Sequence, residues 1–142
     1  MRIGLTVATV VVGVCAVLGS PAPGLAASGF DGAWNVVIVC GDSGDVKGYT
    51  WRFAAEIRNG VLSGKYVNPN DAMNFGLLSG TIGAGGDAQL TMSGSTGPSA
   101  FNVHHEAPHT KIHYTAAAHF DARSGSGKRN EQRSCDLSFA KS

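Results

Sequence analysis

Alternation of apolar and polar residues dominates the chain after residue 27 and constrains it to β-strands. The clearest run extends from Tyr49 to Ile57, where every second residue is apolar or aromatic. A period of two places one set of side chains on each face of a strand. This run ends at Asn59-Gly60, a dipeptide that accepts the positive φ angles of a type I′ turn. The next run, 61–67, is therefore predicted to return antiparallel to it.

Further runs with the same period extend this prediction to about eight antiparallel strands. The predicted strands are 34–40, 49–58, 61–67, 78–82, 88–94, 100–104, 112–122 and 133–140. Since no helical stripe is convincing, the fold class is all-β. The runs follow one another like successive hairpins, which favours an up-and-down barrel, with a two-sheet β-sandwich as the alternative. Residues 28–142 have room for one domain.

The first 27 residues have the layout of a secretory signal peptide. Arg2 precedes an almost wholly apolar stretch, 3–18, and the small residues Ala26 and Ala27 follow it. These are the basic, apolar and cleavage regions that a signal peptidase requires. The alternative is an uncleaved membrane anchor, but the apolar stretch is shorter than the ~20 residues that span a bilayer. We therefore predict a secreted or periplasmic protein, 28–142, with no membrane contact after cleavage.

Two cysteines, Cys40 and Cys135, lie in the predicted domain. Both belong to the inward-facing sets of the first and last predicted strands, and exported proteins encounter an oxidising environment. We expect a disulfide between them that fastens the seam of the barrel. The alternative is a pair of free or metal-bound thiols, but zinc ribbons generally use four ligands at short spacing.

Charge and motif content exclude several classes of function. The chain is 15% charged with a net charge of +1, whereas nucleic-acid-binding domains carry a basic excess. It contains no GxSxG, HExxH or phosphate-binding glycine motif, and disulfide formation would leave no thiol in the domain, so we expect no enzyme. The one basic concentration, within 123–133, is interpreted as a solvated hairpin tip, with an anion or partner contact as the alternative.

Three short motifs resemble the avidin and wider calycin group of eight-stranded barrels. They are Gly32-Ala33-Trp34, Leu62-Ser63-Gly64-Lys65-Tyr66 and Leu78-Ser79-Gly80-Thr81-Ile82. The resemblance implies the barrel architecture and gives Tyr66 the place of a binding tyrosine on the third strand. It does not imply biotin as the ligand, because the later strands contain no tryptophan. The chain is also similar to small secreted bacterial proteins.

An eight-stranded barrel encloses either its own side chains or one small ligand. The inward-facing sets of this chain are rich in aromatic residues, which either fill a core or build an apolar pocket with phenol groups for orientation. We predict a non-catalytic binding protein that holds a small apolar or aromatic molecule in the barrel mouth. The residues predicted to orient this ligand are Tyr49, Trp51 and Tyr66.

All five histidines fall within 104–119, which suggests a second hypothesis. Neutral imidazoles bind zinc or copper, so the segment 104–113 is a candidate metal site. A solvated loop, or a pH-responsive loop without metal, is the alternative interpretation. A third hypothesis is a protein–protein interaction or inhibitor module of the cell envelope; the sequence does not predict the oligomeric state. The candidate metal ligands are His104, His105, His109 and His113.

Overall fold

The chain folds into a closed barrel of eight antiparallel strands. A computed structural model describes residues 28–142, so the predicted signal peptide lies outside the described residues. Each strand pairs with the next one along the chain, and the last pairs with the first. This confirms the up-and-down barrel, and the two-sheet sandwich is wrong. The strands are β1 Gly32–Cys40, β2 Tyr49–Arg58, β3 Val61–Asn68, β4 Asp71–Thr81, β5 Asp87–Ser95, β6 Lys111–Phe120, β7 Ser124–Arg129 and β8 Cys135–Lys141.

Short 3-10 helices supplement the strands at Ser28–Phe30, Ser99–Phe101 and Val103–His105. None of the helices formed by residues 28–142 reaches the length and hydropathy needed to span a bilayer.

The β2–β3 hairpin turns as its sequence predicts. Asn59 and Gly60 have φ angles of 51° and 72°, which is the type I′ conformation. The carboxylate of Asp31 accepts hydrogen bonds from the backbone N–H groups of Asn59 and Gly60, at 2.8 and 2.9 Å. These bonds join the segment before β1 to the tip of the hairpin.

One end of the barrel is closed by aromatic side chains, and we call it the closed end. The ring of Trp34 packs edge-on against Phe120 with 5.6 Å between centroids, and Phe120 lies 4.6 Å from Phe139. Phe30 covers them from the first 3-10 helix, where its carbonyl oxygen accepts a hydrogen bond from Trp34 Nε1 at 2.8 Å. Trp34 is fully buried. A single aromatic cluster therefore seals this end.

The opposite end, which we call the mouth, carries the covalent seam. β1 ends at Cys40 and β8 begins at Cys135, and the two residues face each other in the register of the β1–β8 pair. A disulfide joins them, as predicted. It is compatible with an extracellular or periplasmic location.

The sequence prediction is wrong for the sixth strand. Residues 100–104 form parts of two 3-10 helices within the long β5–β6 connection, 96–110, which we call the mouth loop. The reason lies in Asn102, whose side-chain amide donates to the carbonyl oxygens of Gly97 at 2.9 Å and Glu106 at 2.8 Å. Such local bonds compete with a sheet ladder and fold the segment back on itself.

The sequence prediction is also wrong for 124–129, which forms the seventh strand and not part of a hairpin tip. This segment pairs with both β6 and β8. Its inward positions are Gly125, Gly127 and Arg129. The segment therefore lacks the alternation of apolar and polar residues that predicts a strand. The glycines fit here because a Cβ at Gly125 would lie 2.9 Å from the ring of Phe120, closer than real Cβ contacts come.

Candidate ligand-binding site

A cavity of about 250 Å³ lies inside the mouth. At ~30 Å³ per molecule, this volume holds roughly eight waters. The cavity lies between the mouth ends of β2, β3 and β4 on one side and the mouth loop and the β7–β8 connection on the other. Its walls combine aromatic rings with a few polar and charged groups, which is the usual composition of a small-molecule site.

An aromatic wall forms one side of the cavity. Trp51 and Tyr66 stack almost parallel, with 4.3 Å between centroids and 11° between ring planes, and Tyr49 lies 5.2 Å from Trp51. A glycine on β4 makes room for the indole, since a Cβ at Gly76 would lie 2.6 Å from the Trp51 ring. The structure thus brings the three predicted ligand-binding residues together around one cavity.

Arg129 enters the mouth from the last position of β7. Its side chain is 4% exposed, and its guanidinium carbon lies 3.7 Å from the centre of the Tyr114 ring. Its Nε donates to the backbone oxygen of Glu131 and its Nη2 donates to Oε1 of Gln132, both at 2.9 Å. The guanidinium is thereby fixed in position at the edge of the cavity, which it lines.

Arg133 enters from the β7–β8 connection and is 5% exposed. Its guanidinium donates to backbone oxygens of Phe101 at 3.0 Å, Lys47 at 3.3 Å and Gly41. These acceptors belong to the mouth loop and to the β1–β2 connection, 41–48, so Arg133 joins three connections at the mouth. Its guanidinium carbon lies 5.3 Å from the centre of the Tyr49 ring.

Among the described residues, both buried arginines lack a carboxylate within salt-bridge distance. Within residues 28–142, neither forms a salt bridge, and each hydrogen-bond acceptor they use is an uncharged oxygen. Burial raises the pKa of the Tyr49 and Tyr114 phenols, while the nearby arginine charges act in the opposite direction. The two guanidiniums therefore place positive charge beside the buried phenols of the cavity wall.

A solvated hairpin tip at 123–133 predicts that Arg129 and Arg133 are exposed, whereas both are buried. That interpretation is wrong for both. A weak signal does exist, since Arg129 continues the alternation of Gly125 and Gly127 with Ser124, Ser126 and Lys128. Glycine differs little from serine in hydropathy, so the period of two in β7 is recognised only once its pairing with β6 and β8 is known.

Two histidines of the mouth loop pair with aspartates, one on the β1–β2 connection and one on β4. His105 Nε2 lies 2.8 Å from Asp45 Oδ2 in the β1–β2 connection. His109 Nε2 lies 2.8 Å from Asp71 Oδ2 at the start of β4. The hydrogen bond with Asp45 raises the pKa of His105, and the bond with His105 lowers the pKa of Asp45. The two pairs fasten the mouth loop across the barrel.

The predicted metal ligands do not come together. His105 and His109 pair with separate carboxylates, while His104 and His113 are exposed. In the described part of the chain, no three His, Cys, Asp or Glu side chains are placed to hold one metal ion. The zinc or copper site therefore stays a prediction that the geometry does not support.

Comparison with protein-family models, curated proteins and solved structures gives no match for this chain. The resemblance to the avidin and calycin group therefore stays a prediction. Function has to be inferred from the geometry of the mouth.

Proposed function

We propose that this is a non-catalytic binding protein that holds one small ligand with an apolar or aromatic body in the mouth cavity. One observation carries the proposal. The barrel keeps a cavity of about 250 Å³ at the mouth, beside three aromatic side chains, whereas aromatic rings pack against each other at the closed end. The predicted export of the chain makes it a secreted or periplasmic binding protein.

The size and lining of the cavity limit the ligand. Its volume is just below the ~300–1,000 Å³ of sites for drug-sized molecules, so one or two rings fit better than a large ligand. Tyr66 is half-buried, and a ligand in the cavity would cover the remaining exposed part of the stacked pair. Removal of this apolar surface from water is the expected driving force for binding.

The cavity also has the rigidity that a binding site needs. The mouth loop is held by the buried side chain of Asn102, by Arg133 and by the His105 and His109 pairs. A site that is already ordered loses less conformational entropy when a ligand binds. The protein–protein module stays a hypothesis.

The test uses naphthalene-1-acetamide as a neutral aromatic probe, with binding followed by NMR of the labelled protein. We expect chemical-shift changes that are confined to the mouth, centred on Trp51 and Tyr66. The variant Ile112→Phe should abolish them, because residue 112 lines the cavity and the larger ring occupies it.

The matched control is Val67→Phe, which adds a ring at an exposed position on the outside of β3 and should leave the shifts unchanged. Mass spectrometry of untagged protein under native conditions should show whether an organic molecule copurifies. Shift changes that are absent, or that persist in Ile112→Phe, would contradict the proposal.

A further inference from the structure

We infer that the ligand of the mouth cavity is an anion, a small monocarboxylate with an apolar or aromatic body, and that Arg129 contacts its carboxylate. The inference rests on the proposed function and specifies the chemical class of the ligand. Its starting point is the pair of buried arginines, Arg129 and Arg133, that line the cavity with neutral partners alone.

Arg129 has donors left over. A guanidinium carries five N–H groups. Within residues 28–142, Arg129 donates through Nε and Nη2, and Nη1 forms no hydrogen bond. The residue is 4% exposed as a whole and lines the cavity, so bulk solvent has little access to these donors. A ligand oxygen in the cavity would supply the missing acceptor.

The charge of the lining selects an anion with a single negative charge. The charged residues around the cavity are Arg129, Arg133 and Glu106, which gives a net of one positive charge. Glu106 is exposed on the mouth loop, whereas both guanidiniums are buried. Buried charges are destabilising unless they are paired, so the two guanidiniums would stabilise a monoanion bound in the cavity.

The fixed orientation of Arg129 favours a carboxylate. Stacking on Tyr114 and two hydrogen bonds hold its planar fork before any ligand arrives. Such a fork matches the two oxygens of a carboxylate. Asn74 also lines the cavity, is 5% exposed, and has an Oδ1 without a hydrogen-bond partner. As an acceptor, this oxygen would take a hydrogen bond from a donor on the body of the ligand and not from its carboxylate.

Arg133 acts differently. Three backbone oxygens occupy its Nη atoms, and its Nε is buried without a partner. We therefore assign Arg133 to holding the connections together and to the positive potential, and Arg129 to direct contact with the ligand.

The test compares naphthalene-1-acetate with naphthalene-1-acetamide, which share one ring system and differ in charge. Isothermal titration calorimetry at low salt should show that the acetate binds at least about tenfold more tightly, as expected for one charge-assisted hydrogen bond. In Arg129→Gln this preference should disappear while the amide still binds. The control Arg58→Gln removes an exposed arginine at the other end of the barrel and should keep the preference.

A second variant keeps the test informative if Arg129→Gln does not fold. Glu106→Gln removes the exposed negative charge and should tighten acetate binding severalfold without affecting the amide. An acetate that binds no better than the amide would overturn the anion inference and leave the proposed function standing. If neither probe binds, the proposed function fails and the inference falls with it.

Discussion

The closed end and the mouth are built from the same eight strands, yet their interiors differ in kind. At the closed end, the rings of Trp34, Phe120 and Phe139 pack against one another and are buried. At the mouth, aromatic rings line a cavity, and Arg129 and Arg133 are buried beside it. The comparison indicates that packing at one end stabilises the barrel while the other end accommodates groups that are unfavourable for folding.

The connections follow the same division. Those at the closed end are short, 59–60, 82–86 and 121–123. The mouth has two short connections, 69–70 and 130–134, but also the eight-residue connection 41–48 and the mouth loop. Long connections can supply side chains for a site, but they need additional ties to stay ordered. The hydrogen bonds of Asn102 and Arg133 and the two histidine pairs provide these ties.

The largest effect is expected from loss of the disulfide, which fastens the mouth where the closed end depends on packing. The double change Cys40→Ser with Cys135→Ser should lower the free energy of unfolding by about 4 to 5 kcal/mol, because a crosslink across 95 residues restricts the unfolded chain. Urea denaturation followed by circular dichroism measures it. A loss below about 1 kcal/mol would mean that the β1–β8 hydrogen bonds alone suffice for closure.

The next prediction compares an aromatic residue from each end. Trp34→Ala should lower the free energy of unfolding by about 3 to 5 kcal/mol, since the side chain is fully buried. Tyr66→Ala should cost only about 1 to 2 kcal/mol, because Tyr66 is half-buried and loses chiefly its stack on Trp51. Equal losses of unfolding free energy in urea denaturation would contradict the distinction between a stabilising end and a binding end.

The third prediction concerns aspartates that fix a connection at each end. Asp31→Ala should lower the free energy of unfolding by about 1 kcal/mol, because Asp31 accepts two hydrogen bonds from the β2–β3 turn. Asp42 accepts one, from the backbone N–H of Gly48 at the mouth. Asp42→Ala should mainly speed amide hydrogen exchange in 41–48, with less effect on global stability. Faster exchange throughout the barrel would contradict this.

The smallest effect is the pH response of the mouth loop. His105 has a raised pKa and its partner Asp45 has a lowered pKa. Both are therefore charged between about pH 4, the ordinary pKa of an aspartate, and about pH 6.5, the ordinary pKa of a histidine. The contribution of His105 is complete below about 6.5 and is lost as pH rises through its raised pKa. The contribution of Asp45 is present above about 4 and is lost as pH falls through its lowered pKa.

Hydrogen exchange in the mouth loop, corrected for intrinsic rates, should therefore speed up on the alkaline side of this range. His105→Gln should remove the response. The closed end offers a control in His119, whose pKa is raised by its hydrogen bond with Asp87 but which lies within β6. Its titration should leave the mouth loop unchanged, and a response that survives in His105→Gln would assign the effect to another group.

Much of the fold could be predicted because most strands have a local alternation of apolar and polar residues. Alternation in β1 and β2, the Asn59-Gly60 turn and the matching places of the two cysteines suffice for a closed barrel. The mouth loop could not be predicted, because 100–104 alternates like a strand and only the contacts of Asn102 with Gly97 and Glu106 show that it folds back.

The candidate site was half predictable for a related reason. Tyr49, Trp51 and Tyr66 lie on strands with strong alternation, so their inward direction follows from the sequence. Arg129 lies on a strand whose inward neighbours are glycines, and Arg133 lies in a connection. Whether a charged side chain is buried depends on residues that are distant in the sequence. Arg133, for example, donates to the backbone oxygen of Phe101, and the local sequence around Arg133 does not indicate this contact.

The pairing of β1 with β8 has a consequence for biogenesis. Cys40 and Cys135 are 95 residues apart, and Arg133 reaches Gly41 across the same junction. The chain therefore cannot complete its cavity until β8 has been synthesised and pairs with β1. A chain that lacks β8 cannot close the barrel, so the aromatic residues of its interior stay exposed to solvent. We expect such a chain to be a substrate for proteolysis.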